Sequence, residues 1–252
     1  MRRPCEVNIT DDACGFFGMS EIERNMSSVE KSRLEACMNP KLTDPNYIVL
    51  SKRLEFFRSW IEKIPGNHLR ILDVGGRVQP YRPLFSGRIS EYITVDPQLT
   101  SSLDVVGIGE SLPFQSESFD VVICTQVMEY VSNPFEVAGE LHRVLKTDGF
   151  LLFSAPSSWP VDNVLDRWRF LPAGLEELFS DYRLLEIRSE GGTIGGFFRS
   201  LNVYFDIFSR KGLARWVVRH TSTPLFNIMG LIAGKLSSNS GFSVNYSLCA
   251  RK

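Results

Sequence analysis

Apolar side chains recur at helical spacing through Tyr47, Leu50, Leu54, Phe57, Ile61 and Ile64, with Lys52, Glu55, Arg58 and Glu62 between them. A period near 3.6 predicts an amphipathic helix over 47–64, ended by Pro65-Gly66. The pattern then changes. Leu69-Arg70-Ile71-Leu72-Asp73-Val74 is a short apolar run stopping at Gly75-Gly76, and it reads as a first strand. Further strands are predicted over 91–95, closed by Asp96-Pro97, over 103–106 and over 119–124. The last is almost continuously apolar, as suits a strand covered on both faces. Asn133-Pro134-Phe135-Glu136 opens the next helix: Asn is a good cap, Pro suits the first helical position and Glu the third. Its apolar face is expected to run through Phe135, Ala138, Leu141 and Leu145. Asp148-Gly149 then turns the chain into a strand over 150–155.

Beyond that strand the pattern predicts a helix over 172–179, a strand over 182–189 and a last strand over 243–250, with Val244, Tyr246, Leu248 and Ala250 alternating. The stretch between the last two strands is apolar, aromatic and punctuated by glycine. Alternating strands and helices at this spacing argue for an α/β fold with a doubly wound, mainly parallel sheet. Right-handed crossovers place the strand C-termini, and with them the ligand crevice, on one edge. Residues 1–45 lack sustained periodicity and read as a loosely ordered N-terminal arm with one short helix near Ser27 to Cys37. Residues 46–252 then form one domain with a helical insertion at about 191–242.

Composition narrows the class. The chain has 252 residues, 43% hydrophobic and 23% charged, enough for one large soluble domain. A net charge of −1 argues against a general nucleic-acid binder. No apolar h-region follows Met1-Arg2-Arg3-Pro4, so no secretory signal is expected, and no apolar run reaches the length of a membrane span. The five cysteines (Cys5, Cys14, Cys37, Cys124, Cys249) are odd in number with no Cys-x-x-Cys pair. That excludes a disulfide framework or zinc site as an expectation, predicts no metal, and fits a cytoplasmic protein.

Two positions carry candidate chemistry. Glycine at the turn Asp73-Val74-Gly75-Gly76-Arg77 lets backbone N–H groups approach a ligand, although a plain tight turn explains it equally well. Asp96, 23 residues after Asp73, can accept hydrogen bonds from both ribose hydroxyls of an adenosine, a device that NAD enzymes share. The order of the following segments discriminates: Gly109-Glu110-Ser111-Leu112-Pro113-Phe114, then Ser118 to Val122, then Gln126-Val127-Met128-Glu129-Tyr130-Val131, then Glu140 to Gly149. With these, the chain resembles the small-molecule branch of the class I S-adenosylmethionine-dependent methyltransferases over roughly residues 68 to 190 plus the final strand.

The resemblance implies a Rossmann-like seven-stranded sheet whose last strand is antiparallel, and S-adenosylmethionine as cofactor. Asp73 would lie near the methionine amino group, Gly75 and Gly76 would line methionine and ribose, and Asp96 would hold the ribose. Gly109, Glu110, Ser111 and Leu112 would border the adenine, with Gln126 and Val127 beside the cofactor. The chain departs from the family where glycines are usual, at Arg77 and Gln79, and at Ile108, where Asp often contacts the adenine amino group. Arg77 is read either as a partner of the methionine carboxylate or as a solvent-facing side chain.

Methyl transfer needs alignment, exclusion of water and, for some acceptors, a base. Glu129, Tyr130 and His142 are the candidates near the mouth, with His142 expected to turn away; no base is assigned. Trp168 and Arg169 could form a platform for a polar ring or phosphate, or Trp168 simply covers the core. Between Phe197 and Leu236 stand six basic residues and one acid, Asp206, interleaved with aromatics. This insertion reads as a packed cap, a homodimer surface, or a peripheral membrane or lipid contact. The acceptor is expected to be a small molecule, a saccharide or lipid-linked. The competing readings are a non-catalytic scaffold that keeps the fold, favoured by Arg77, Gln79 and Ile108, and an NAD-dependent oxidoreductase, opposed by the missing Gly-x-Gly-x-x-Gly spacing.

Overall fold

The computed structural model describes residues 28–99, 103–161, 163–209, 212–236 and 243–252. Of the arm expected over residues 1–45, residues 1–27, with Cys5 and Cys14, lie outside the described residues. In chain order the elements are α1 (Ser28–Met38), α2 (Tyr47–Ile61), β1 (Leu69–Val74), β2 (Ile89–Asp96), β3 (Val105–Val106), β4 (Phe119–Thr125), α3 (Pro134–Val144), β5 (Leu145–Pro156), α4 (Pro172–Leu178) and β6 (Arg183–Ser189). Then follow α5 (Gly192–Phe208), α6 (Leu213–His220), α7 (Ser222–Leu236) and β7 (Asn245–Arg251).

The seven strands form one sheet in the order β3-β2-β1-β4-β5-β7-β6. The pairs from β3 through β5 are parallel. β7 inserts antiparallel between β5 and β6, as the resemblance implied. Because a strand's side chains alternate between faces, β1 and β4 feed two cores. Leu72, Val74, Val122 and Cys124 pack under α3 and α4. Leu69, Ile71, Val121 and Ile123 pack under Phe56, Phe57 and Ile61 of α2. Each such side chain, fully buried, contributes about 1.5–3 kcal/mol.

Several elements differ in detail from their sequence patterns. β3 has only two residues, because the Thr94 amide (2.9 Å) and hydroxyl (2.7 Å) both donate to Asp104 Oδ2, a side-chain clasp in place of a ladder. β7 is buried on both faces, since it sits between two strands. In α3 the Asn133 side chain accepts from the Phe135 amide at 3.1 Å, so the expected cap forms. Phe135 itself is exposed, and Pro134 and Val137 take the inward positions. α2 buries a wider face than its stripe indicated, including Arg53.

The insertion before β7 is helical, as expected. β6 runs parallel to β5, both being antiparallel to β7, so α5 leaves the sheet from the edge at which β1, β2, β4 and β5 end. α5 and α7 close on α2 around Ile48. A Cβ on Gly230 would lie 2.6 Å from Ile48 Cδ1 and 3.6 Å from Gly195 Cα, so any larger residue there would part the helices. Arg199 Nη2 donates to Asn46 Oδ1 at 2.8 Å, and Asn227 Nδ2 donates to the carbonyls of Leu42 (2.8 Å) and Asp44 (2.9 Å). The insertion is thereby bonded to the chain on both sides of residue 45.

Candidate functional site

The sheet edge offers a crevice where the chain, having built β2 and β3 to one side of β1, crosses to β4 on the other; such switch points are where doubly wound sheets bind ligands. β1 ends there in the glycine turn. Gly75 has φ +78°, and a Cβ on it would fall 2.3 Å from Val127 Cγ2. A Cβ on Gly76 would fall 2.2 Å from the Asp73 carboxyl carbon. These two contacts bring Asp73, Gly75, Gly76 and Val127 together. Asp73 is buried and accepts from the Tyr92 hydroxyl at 2.6 Å. Burial pushes its carboxyl up to about 7 and outweighs the opposing effect of the Tyr92 bond. Gln79 keeps the left-handed backbone (φ +47°) that glycine would hold freely, a conformation costing other residues roughly 1–2 kcal/mol. Its amide oxygen accepts from Arg82 Nη1 at 2.7 Å.

Asp96 closes β2, with its carboxylate buried beside this turn. Arg77 Nε donates to its Oδ2 at 2.8 Å and the Gln98 amide to its Oδ1 at 2.8 Å. Arg77 thus reaches Asp96, a partner neither sequence reading named. Leu99, three residues past Asp96, and Ile108, two residues past β3, both expose large apolar side chains. Leu99 had no local motif to mark it; the only signal is an apolar residue three places past the acid.

The segment 109–112 is anchored from behind. Gly109 packs on Val137, Glu110 Oε1 accepts from the Ser132 amide at 2.8 Å, and the Leu112 amide donates to Glu140 Oε2 at 2.7 Å. The Leu112 side chain is buried in the core, whereas Ser111 is exposed. Gln126 ends β4 in a left-handed conformation (φ +55°), and its Nε2 donates to Asn245 Oδ1 at 3.1 Å. That side chain ties the β4 turn to β7.

A second cluster of polar groups lies along the same edge. Glu129 is buried, its backbone carbonyl accepting from the amides of Arg167 (2.7 Å) and Trp168 (3.2 Å), and among the described residues its Oε2 has no hydrogen-bond partner. Burial raises its carboxyl to about 7. Arg53 and Glu190 form a buried ion pair at 3.0 Å, and Glu190 Oε1 accepts from the hydroxyls of Ser154 (2.8 Å) and Ser247 (2.5 Å). Ser154 Oγ accepts in turn from Asn245 Nδ2 at 2.8 Å, so the network runs from α2 to Gln126. Arg199 is buried with its guanidinium 3.3 Å from the Trp159 ring centroid and with Asn46 as its hydrogen-bond partner. Among the described residues no carboxylate forms an ion pair with it, and burial, helped by the Arg53 charge, brings it down to about 9. Arg169 is committed to Asp166, at 2.7 Å for Nη2 to Oδ2, and Trp168 Nε1 donates to the Val131 carbonyl at 3.0 Å. The two residues read as a platform or as core cover thus bond within their own loop and to the Val131 carbonyl. His142 turns away, its ring edge-on to Tyr182 at 4.9 Å.

Residues 72–153 match the family model described as a methyltransferase domain. Over these residues the chain is similar to a methyltransferase domain. Among curated relatives it is 33% identical over 115 residues to the uncharacterized methyltransferase YcgJ of Bacillus subtilis, covering 39% of this chain and 45% of that protein. It is 32% identical over 112 residues to malonyl-[acyl-carrier protein] O-methyltransferase 1 of Coxiella burnetii, covering 42% and 37%. An uncharacterized protein of Methanocaldococcus jannaschii is 26% identical over 137 residues, 54% of this chain and 62% of its own length. The chain thus spans less than two thirds of the length of these relatives. A solved structure assigned as a sarcosine dimethylglycine methyltransferase of Galdieria sulphuraria superimposes with a TM-score of 0.52 at 11% identity, covering 81% of this chain and 88% of that one. The [4+2]-cyclase SpnF superimposes at 0.50 and 17% identity, covering 79% and 80%. At such identities the agreement is one of fold.

The sheet edge has a donor set that fits S-adenosylmethionine, the cofactor that the resemblance implies. A buried carboxylate closes β2, a second lies under a turn where no Cβ can stand, and exposed apolar side chains follow β2 and β3. Arg77 and the Gln98 amide do not exhaust Asp96, because each carboxylate oxygen carries a second lone pair.

Proposed function

We propose that this chain is an S-adenosylmethionine-dependent methyltransferase acting on a small-molecule, saccharide or lipid-linked acceptor. The observation that carries this reading is the buried Asp96 carboxylate at the end of β2, set beside the Gly75 turn at the switch point of the sheet. In this reading Asp73 faces the methionine ammonium, and Gly75, Gly76 and Val127 line methionine and ribose. Asp96 accepts from the ribose hydroxyls, Gly109 to Leu112 border the adenine with their backbone, and Leu99 and Ile108 flank its faces. Gln126 holds the β4 turn in place.

When bound, the cofactor supplies a methyl group on a sulfonium, so the leaving group needs no help. The chain has to align the acceptor and keep water out. Glu129 is the group we assign to take a proton from an O- or N-nucleophile: its Oε2 is buried without a partner, and a carboxyl near 7 is matched to proton transfer at neutral pH. Arg199, a buried cation with no carboxylate partner among the described residues, favours an acceptor that brings negative charge, such as a phosphate or a carboxylated sugar.

Isothermal titration of the purified chain with S-adenosylmethionine and S-adenosylhomocysteine, with NAD as control, tests the reading. Both sulfur ligands should bind and NAD should not, and Asp96→Ala should weaken binding by about ten- to a hundred-fold through loss of charge-assisted bonds. Arg77→Ala discriminates its roles: weaker binding assigns Arg77 to the methionine carboxylate, and tighter binding makes it a competitor for Asp96. Absence of binding to every ligand would leave the non-catalytic scaffold as the better account.

A further inference from the structure

The three helices of the insertion are built with their polarity reversed. In α5 the inward positions are Gly195, Arg199 and Asn202, while Phe197, Tyr204, Phe205 and Phe208 are exposed. Phe208 is 79% exposed at the end of a helix whose buried side chains are an arginine and an asparagine. In α6 the arginines face in: Arg215 and Arg219 both bond Asp206 of α5, at 3.0 and 2.7 Å from their Nε atoms. Leu213, Trp216 and Val217 face out. In α7 Thr223 and Asn227 are buried, and Asn227 accepts from Asn202 at 3.0 Å. Leu225, Ile228, Met229 and Ile232, at the i, i+3, i+4 and i+7 positions, are exposed. α2 and α3 of the same chain have the ordinary arrangement, so the reversal is a property of the insertion.

A helix in water hides its apolar face; three successive helices that show theirs are shaped for an apolar surrounding. Charge says which. From Phe197 to Leu236 the sequence holds six Lys and Arg residues and the single acid Asp206, which is already engaged by two arginines. No exposed acid would oppose a negative surface, and Lys235 is exposed next to the apolar stripe of α7. No helix among the described residues is long and apolar enough to cross a bilayer. Aromatic and aliphatic residues facing outward, an excess of positive charge over the segment with Lys235 exposed beside the α7 stripe, and helices too short to span are the attributes of an element lying in the membrane interface.

We propose that the outward faces of α5, α6 and α7 dock on an anionic lipid bilayer, lying in its interface without crossing it. The inference goes beyond the methyltransferase reading and does not depend on it. Its consequence is positional: α5 springs from the sheet edge that carries Asp96 and Glu129, so that edge faces the bilayer and an acceptor held in the lipid comes within its reach.

Flotation of the full chain with vesicles tests this, one set of phosphatidylcholine and one of equal parts phosphatidylcholine and phosphatidylglycerol. The chain should float with the anionic set, and the bound fraction should drop as salt rises. Phe208→Ser/Trp216→Ser/Ile232→Ser changes only exposed positions and should reduce the anionic-vesicle partition coefficient at least about ten-fold, given the loss of three buried apolar side chains. An unchanged thermal unfolding midpoint shows that this variant is folded. If it is not, brominated lipid should quench tryptophan fluorescence in the wild type and much less in Trp216→Phe. Wild-type chain that stays at the bottom of the gradient with both sets overturns the proposal. So does flotation that the triple variant leaves unchanged, or a dimer by sedimentation that the variant dissociates while vesicles bind neither form.

Discussion

Glu129 and Asp73 are both carboxyls that burial raises to about 7, and they stand near opposite ends of the proposed reaction, one toward the acceptor and one toward the methionine. For each, the folded value lies above the unfolded one, so folding favours the protonated form. Stability therefore falls as pH rises from the unfolded value, 4.5 for Glu129, through 7. Glu129→Gln removes this cost at one site. Compared with wild type in denaturant unfolding, the variant should show little gain near pH 4 and a gain that grows to at most about 3 kcal/mol above pH 7. If Glu129 is the base, turnover should drop about a hundred-fold in the same variant with cofactor affinity unchanged. A stability gain without loss of turnover would make Glu129 a buried structural acid. The residue was legible in the sequence only as an acid past a strand; its desolvation comes from the loop at Arg167 and Trp168 folding over it, a contact 38 residues away along the chain.

Helix α6 is eight residues long with no buried side chain, and its polar hold on α5 includes the pair of arginine bonds to Asp206. Burial acts to raise the Asp206 carboxyl, but the two guanidiniums prevail and hold it down at about 2. A depressed folded value means that this stabilisation is present above the ordinary 3.8 and is lost as pH falls toward 2. Asp206→Ala should release α6 at neutral pH. Hydrogen exchange should show amides 213–220 losing protection at least about ten-fold while β4 and β5 are unchanged, since local opening is separable from global unfolding. Equal loss across the sheet would show that α6 is coupled to the core. The elements themselves followed from periodicity wherever one face meets water and the other the core. Where that premise was reversed, in α5 to α7, the sequence still showed helices rich in apolar residues, but not which way they faced.

At the scale of the whole molecule, the Arg53–Glu190 pair joins the N-terminal helix α2 to β6 and, through Ser154, Ser247 and Asn245, to β5 and β7. Removing one member of a buried pair strands the other charge, at about 3–5 kcal/mol, whereas replacing both by apolar residues is often nearly neutral. Chemical denaturation should therefore find Arg53→Met markedly destabilised and Arg53→Met/Glu190→Leu closer to wild type. A double variant as unstable as the sum of the single ones would contradict a direct pairing. The sequence alone determined the succession of strands and helices, the edge that carries Asp73, the Gly75 turn and Asp96, and the last strand, because hydrophobic period and turn chemistry act over a few neighbouring residues. Only the tertiary structure decided that Arg77 clasps Asp96, that Glu129 buries an oxygen with no partner among the described residues, that none of their carboxylates pairs with Arg199, and that the insertion turns its apolar faces outward. Burial, pairing of charges and the direction a helix faces are set by contacts between segments far apart in the chain, and no local pattern encodes them.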